Sequence, residues 1–168
     1  KLLSFKDNVL KEMADLSELA GFHCNDMVVD VHGNAYIGNF GFNTYAGEEV
    51  KSTNLILVRP GEEPCVAADD LMFPNGTVIT EDGKTLIVGE TYAARLTAFD
   101  INDDASLTNR RIWADLTKSV DDGNVPVPDG MCIDAEGAIW VASPSTADVI
   151  RVKEGGEVLE RIPVATNA

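Results

Sequence analysis

Basic residues are scarce in this chain: 13 Lys and Arg stand against 28 Asp and Glu, a formal net charge of −15 over 168 residues. Such a surface repels phosphate backbones and anionic lipid headgroups, so nucleic acid and membrane surfaces are not expected as partners. No apolar run approaches the ~18 residues of a membrane helix, and the N-terminal residues carry no signal-peptide pattern. Cysteine is nearly absent as well. Cys24, Cys65 and Cys132 are odd in number, widely spaced and without a CxxC pair, so reduced and mostly buried thiols in a cytoplasmic protein are expected. Histidine is limited to His23 and His32, and no GxSxG elbow surrounds Ser143 or Ser145, which leaves a serine triad without its motif. Hydrophobic residues, by contrast, make up 45% of the chain, enough for the core of one ordinary domain. The acidic excess is compatible with a cation site, but most carboxylates are scattered and belong to solvent.

A repeat organises the chain. NDMVVDVHGNAYIG from Asn25, NGTVITEDGKTLIVG from Asn75 and DGMCIDAEGAIWVA from Asp129 each read as a polar residue, a β-rich run, a glycine turn and a second β-rich run. Between them, Asn54–Arg59, Arg95–Asp100 and Asp148–Lys153 read as third strands, and Pro64–Leu71, Arg110–Leu116 and Glu157–Ile162 as fourth strands. Four short strands in units of this length predict an all-β fold, a β-propeller of four-stranded antiparallel blades. A β-sandwich explains many strands but not their equal spacing. The predicted layout is the end of a preceding blade over 1–20 and blades over 21–72, 73–119 and 120–168. About three and a half blades do not close a ring, so a larger propeller is expected around this chain. Val9, Met13, Leu16 and Ala20 recur at helical spacing, yet the repeat places two strands there, Leu2–Phe5 and Val9–Leu16, joined at Asp7-Asn8.

The first strand of each blade lies nearest the axis of a propeller, so repeat-equivalent residues at its start share one height. Asn25, Asn75 and Asp129 are those residues. Their oxygens suit a hard divalent cation with water completing the shell. Asn-Gly and Asp-Gly are also strong turn formers, so Asn75-Gly76 and Asp129-Gly130 serve a bend equally well when each is read alone. The shared register with Asn25-Asp26, which has no glycine, favours the site. Pro74 and Pro128, each directly before the polar residue, fit an ordered lead-in to the inner strand.

The stretches NDMVVDVHGNAYIGNFGF, FPNGTVITEDGKTLIVGE and PDGMCIDAEGAIWVASP make the chain resemble the family of senescence marker protein, gluconolactonase and luciferin-regenerating enzyme. The resemblance covers nearly the whole chain and implies a six-bladed propeller with one divalent metal in its channel. It implies Asn75 and Asp129 as metal ligands, Asp129 as general base, and Asn25 as a contact to metal or substrate. The family's further Glu ligand belongs to a first blade and has no counterpart here. His23 stands where animal members carry a substrate-contacting Arg, and Asn25, His23 and Asp26 are the candidate substrate-binding residues.

The function expected is a metal-dependent lactonase acting on a small-molecule lactone, with calcium preferred and zinc, magnesium or manganese as alternatives. A phosphotriester or other ester hydrolase on the same scaffold, and a non-catalytic propeller that binds a ligand or protein, are the competing readings. Glu48-Glu49 is either a solvated loop tip or a reach toward the channel mouth. Tyr36, Phe99, Trp113 and Trp140 are expected in the core. Asp30, Asp82, Asp134 and Glu136 are expected to shape hairpin turns, and His32 to be exposed in one of them.

Overall fold

A computed structural model describes residues 1–119 and 123–164 of the chain. Residues 120–122 and 165–168, at the two ends of the third predicted blade, lie outside that description. The fold is a β-propeller built from four-stranded antiparallel meanders, with no α-helix among the described residues. It opens with a hairpin of β1 (Leu2–Lys6) and β2 (Val9–Ala14). Three sheets follow in chain order. The first contains β3 (Cys24–Val29), β4 (Ala35–Asn39), β5 (Thr53–Val58) and β6 (Cys65–Leu71). The second contains β7 (Pro74–Ile79), β8 (Thr85–Glu90), β9 (Arg95–Ile101) and β10 (Leu107–Asp115). The third contains β11 (Met131–Ile133), β12 (Ile139–Ser143), β13 (Asp148–Val152) and β14 (Val158–Pro163).

Local chemistry explains the hairpins. Asp7 and Asn8 sit at φ 50° and 61°, the double left-handed geometry of a tight hairpin turn, which Asp and Asn tolerate. That turn, with the pairing Phe5↔Leu10 and Lys6↔Val9, overrides the helical spacing of the same segment. In the β3–β4 and β11–β12 turns, Asp30 and Asp134 accept backbone N–H bonds from Asn34 (2.8 Å) and Ala138 (3.0 Å) through Oδ1. Asp82 does the same for Lys84 at 3.0 Å, and His32 is exposed.

The core lies between the sheets. One cluster joins Tyr36, Leu55 and Leu57 of the first sheet to Leu86, Val88 and Phe99 of the second. Another joins Ile87, Leu96 and Trp113 of the second to Ile139, Val141 and Ile150 of the third. A third sets Leu16 against Ile37 and Ile56. The first and second sheets therefore bury both faces against neighbours, as blades around an axis do, while the third is packed on the side of the second. Tyr36, Phe99 and Trp113 are buried as expected, but Trp140 is only half-buried, with the Arg151 guanidinium 5.9 Å from its ring centroid. The cysteines also depart from expectation. All three are free; Cys24 and Cys65 are half-buried at the margins of two core clusters, and Cys132 is exposed because it alternates with the core-facing Met131 and Ile133.

Candidate metal and active site

The first strands of the three sheets run side by side, with β7 against both β3 and β11. Glycine makes this approach possible. A Cβ on Gly76 would collide with the Asp129 carbonyl and stand 2.7 Å from the Met131 nitrogen, where the Gly76 N–H instead donates to the Asp129 carbonyl at 3.0 Å. A Cβ on Gly38 would likewise meet the Pro74 carbonyl. Blade-to-blade contact at the lead-in is thus made by backbone, and the polar residues beside it are drawn together.

Asn75 and Asp129 are in direct contact. The Asn75 side-chain amide donates to Asp129 Oδ1 at 2.8 Å and to the Thr91 hydroxyl at 3.3 Å. The Thr91 hydroxyl in turn donates to the Pro128 carbonyl at 2.7 Å. Asn25 lies on the far side of β7 from Asp129, and its amide donates to the Pro74 carbonyl at 3.3 Å. Pairing continues ahead of β11, since the Asp129 N–H donates to the Ala142 carbonyl and the Ala142 N–H to the Gly130 carbonyl, each at 3.0 Å. Asp129 is therefore held on both sides by backbone, although it precedes the strand.

These bonds use nitrogens and leave oxygens. No described residue donates to Asn25 Oδ1, Asn75 Oδ1 or Asp129 Oδ2, and among the described residues no buried side-chain polar atom lacks a partner, so all three oxygens open to solvent. Two amide oxygens and one carboxylate oxygen are hard donors of the kind a calcium-like ion takes. Among the described residues no three His, Cys, Asp or Glu side chains cluster for a metal.

Asp26, the next residue along β3, is exposed as a whole, yet partial desolvation of its carboxyl, and after it the Asp129 carboxylate, raise that carboxyl above the ordinary value. The two acids thus sense each other across the inner strands, and a cation between them would relieve that repulsion. His23 is exposed and packs against aromatic neighbours, with the Phe22 ring 4.1 Å away. Glu48 and Glu49 are exposed, and Glu48 accepts the Asn43 N–H at 3.0 Å. Ser143 is buried beside Thr146 at 2.6 Å, far from any histidine bond.

Two features were not singled out in the sequence. Thr91 links Asn75 to the next blade, and Glu90 is a buried anchor beneath it. Glu90 is fully buried and accepts from Arg95 Nε (2.8 Å), Arg95 Nη2 (3.1 Å), Thr97 and the Met72 N–H (2.8 Å). A signal existed in the repeated Thr-Tyr-Ala of Thr44–Ala46 and Thr91–Ala93, both short 3-10 turns.

The family whose sequence model matches this chain is the SMP-30/Gluconolactonase/LRE-like region, over residues 2–168. The calcium-binding protein regucalcin from Agrobacterium tumefaciens is similar in structure, with a TM-score of 0.77 at 26% identity over 96% of this chain and 52% of that one. A gluconolactonase from Xanthomonas campestris gives a TM-score of 0.67 at 29% identity over 84% and 47%. Diisopropyl-fluorophosphatase of Loligo vulgaris is 28% identical over 154 residues, covering 83% of this chain and 46% of that protein. The chain spans about half the length of the relatives it matches.

Proposed function

The chain belongs to the SMP-30/gluconolactonase/LRE-like family, and from that premise we propose that the full-length protein is a divalent-cation-dependent hydrolase that opens a lactone ring. The observation that carries this reading is the Asn75–Asp129 bond between adjacent inner strands, which leaves Asn75 Oδ1 and Asp129 Oδ2 open beside Asn25 Oδ1. Asn75, Asp129 and Asn25 would hold the ion, with calcium preferred over zinc, magnesium or manganese. When bound, the cation supplies Lewis-acid polarisation of the ester carbonyl.

Asp129 Oδ1 is held by the Asn75 amide, and Oδ2, which would face the ion with one lone pair, has a second lone pair to take a proton from the attacking water. The water oxygen bonds to the acyl carbon, the ring C–O bond breaks, and the released oxygen takes up a proton to give a hydroxy acid. We assign Asn25, His23 and Asp26, at the start of β3, to substrate contact.

Isothermal titration of the full-length protein with calcium, together with lactone hydrolysis, tests the assignment. Asp129→Ala is expected to weaken calcium binding by roughly tenfold or more, about 1.4 kcal/mol, and to abolish hydrolysis. Equal calcium binding by both forms would overturn the site. The similarity to a fluorophosphatase supports a second reading, a phosphotriester hydrolase using the same residues. Phosphotriesters assayed beside sugar and aromatic lactones separate the two.

A further inference from the structure

The inner strands carrying Asn25 and Asn75 are preceded by aromatic residues, and these join side chains from the loops into one arc. Its links run from Tyr45 to Phe22 (6.3 Å between ring centroids), from Phe22 to His23 (4.1 Å) and from His23 to Phe40 (6.1 Å). They continue from Phe40 to Phe73 (4.4 Å) and from Phe73 to Tyr92 (5.2 Å). The arc is tied to the candidate site. His23 and Phe73 each stand two residues before the site asparagine, and Thr91, which hydrogen-bonds Asn75, is followed directly by Tyr92.

Two observations mark the arc as more than core packing. Its ends are open, with Tyr45 79% and Tyr92 52% exposed, whereas a ring buried for stability would be covered. Next to its Tyr92 end, Phe73 holds φ 60°, a left-handed conformation that is an outlier for a bulky residue and doubly unusual before proline. Strain of this kind persists where the surroundings enforce it, and it concentrates at ligand sites. Here the Phe73 carbonyl accepts the Thr91 N–H at 3.2 Å and the Met72 carbonyl accepts the Tyr92 N–H at 3.3 Å.

The asparagines and the threonine beside the arc are already committed. Asn43 caps the Tyr45 and Ala46 N–H groups. Asn39 accepts from Gly21 and Thr53 and donates to Asn54. Thr91 serves Asn75 and Pro128. A polyhydroxylated ligand lying on the arc would meet polar atoms only at His23 and the two terminal tyrosine hydroxyls, with carbon alone along Phe22, Phe40 and Phe73, and hydroxyls left unmet there are costly once desolvated. An aromatic or alkyl group would find ring faces and edges.

We propose that the arc is the subsite for an aromatic or alkyl substituent, so that the substrate class is hydrophobic lactones rather than polyhydroxylated sugar lactones. The proposal rests on the hydrolase reading of Asn75 and Asp129 and names the substrate of that same site.

The test compares hydrolysis of dihydrocoumarin and δ-gluconolactone by the full-length protein and by two variants, Tyr45→Ser/Tyr92→Ser and Asp129→Ala. The wild type is expected to favour dihydrocoumarin. The double tyrosine variant is expected to lose about tenfold or more in kcat/KM on it, against less than about twofold on δ-gluconolactone, as removal of an apolar pocket wall does. A wild type that favours δ-gluconolactone, or an equal loss on both substrates, overturns the subsite. If neither lactone turns over, or Asp129→Ala leaves turnover intact, the hydrolase reading fails separately, and titration with fluorescent coumarin then decides the arc. Binding by the wild type that weakens about fivefold or more in the tyrosine variant upholds an apolar subsite, whereas no binding by the wild type overturns it.

Discussion

Glu90 shows how one residue under the site serves the chemistry without touching it. Burial alone would push its carboxyl up, but hydrogen bonds from Arg95, Thr97 and the Met72 N–H outweigh burial and hold it below the ordinary value of 4.5. Because the folded value is the lower one, the stability it contributes is fully present above pH 4.5 and is lost as the pH falls through the folded value. Glu90→Gln is expected to cost about 2 kcal/mol at neutral pH, below the usual cost of breaking a buried pair because Arg95 keeps some solvent contact. Denaturant melts from pH 7 down to pH 3 check this: the gap between wild type and variant should be constant at neutral pH and shrink below 4.5. A gap that widens on acidification would reverse the assigned sign. Glu90 was not legible in the sequence because Thr-Leu-Ile-Val-Gly-Glu ends like any strand running into a polar loop. Only the fold reveals that Asn39, Glu90 and Ser143, the last residues of β4, β8 and β12, are all buried. Three different side chains at one structural position hide the repeat.

Among elements, the inner strands and their glycines govern the spacing of the candidate ligands. Gly76→Ala places a methyl against the Asp129 carbonyl and the Met131 nitrogen, backbone atoms that cannot swing away. A cost of about 1–3 kcal/mol in stability is expected, in line with overpacking, with a drop in calcium affinity because β7 and β11 must part. Thermal melts and calcium titration of the same variant read both effects, and unchanged affinity with reduced stability would detach Gly76 from the site. The strands themselves were readable from the sequence, since period-two runs and turn residues recur at nearly constant spacing. The alignment of Asn25, Asn75 and Asp129 was readable for the same reason, and the structure adds the Asn75–Asp129 contact. The aromatic arc was not readable, because its rings sit outside the strands, in the lead-ins to β3 and β7 and in connections of unequal length, 40–52 after β4 and 91–94 after β8. Unequal loops destroy the register that made the strands visible.

At the scale of the whole molecule, the propeller's stability comes from one blade covering the next, so a blade face without a neighbour is apolar and open. Leu3, Phe5 and Leu10 share one face of the β1–β2 hairpin and are 49%, 71% and 63% exposed. At the other flank Leu159, Ile162 and Val164 are also exposed. Patches of this kind drive association when left in water. The 168-residue chain, expressed by itself, is therefore expected to self-associate and bind a hydrophobic dye, and to show little or no metal-dependent lactone hydrolysis. Phe5→Lys/Leu10→Lys should shift it toward monomer in sedimentation velocity and reduce dye fluorescence. In the full-length protein, where a neighbouring blade would pack on that hairpin, the same pair should instead lower the melting temperature, since it would put two ammonium groups into an apolar contact. A chain that is monomeric, dye-negative and active on its own would mean that these three sheets and the hairpin form a self-sufficient unit, and the blade-by-blade account of its stability would be wrong.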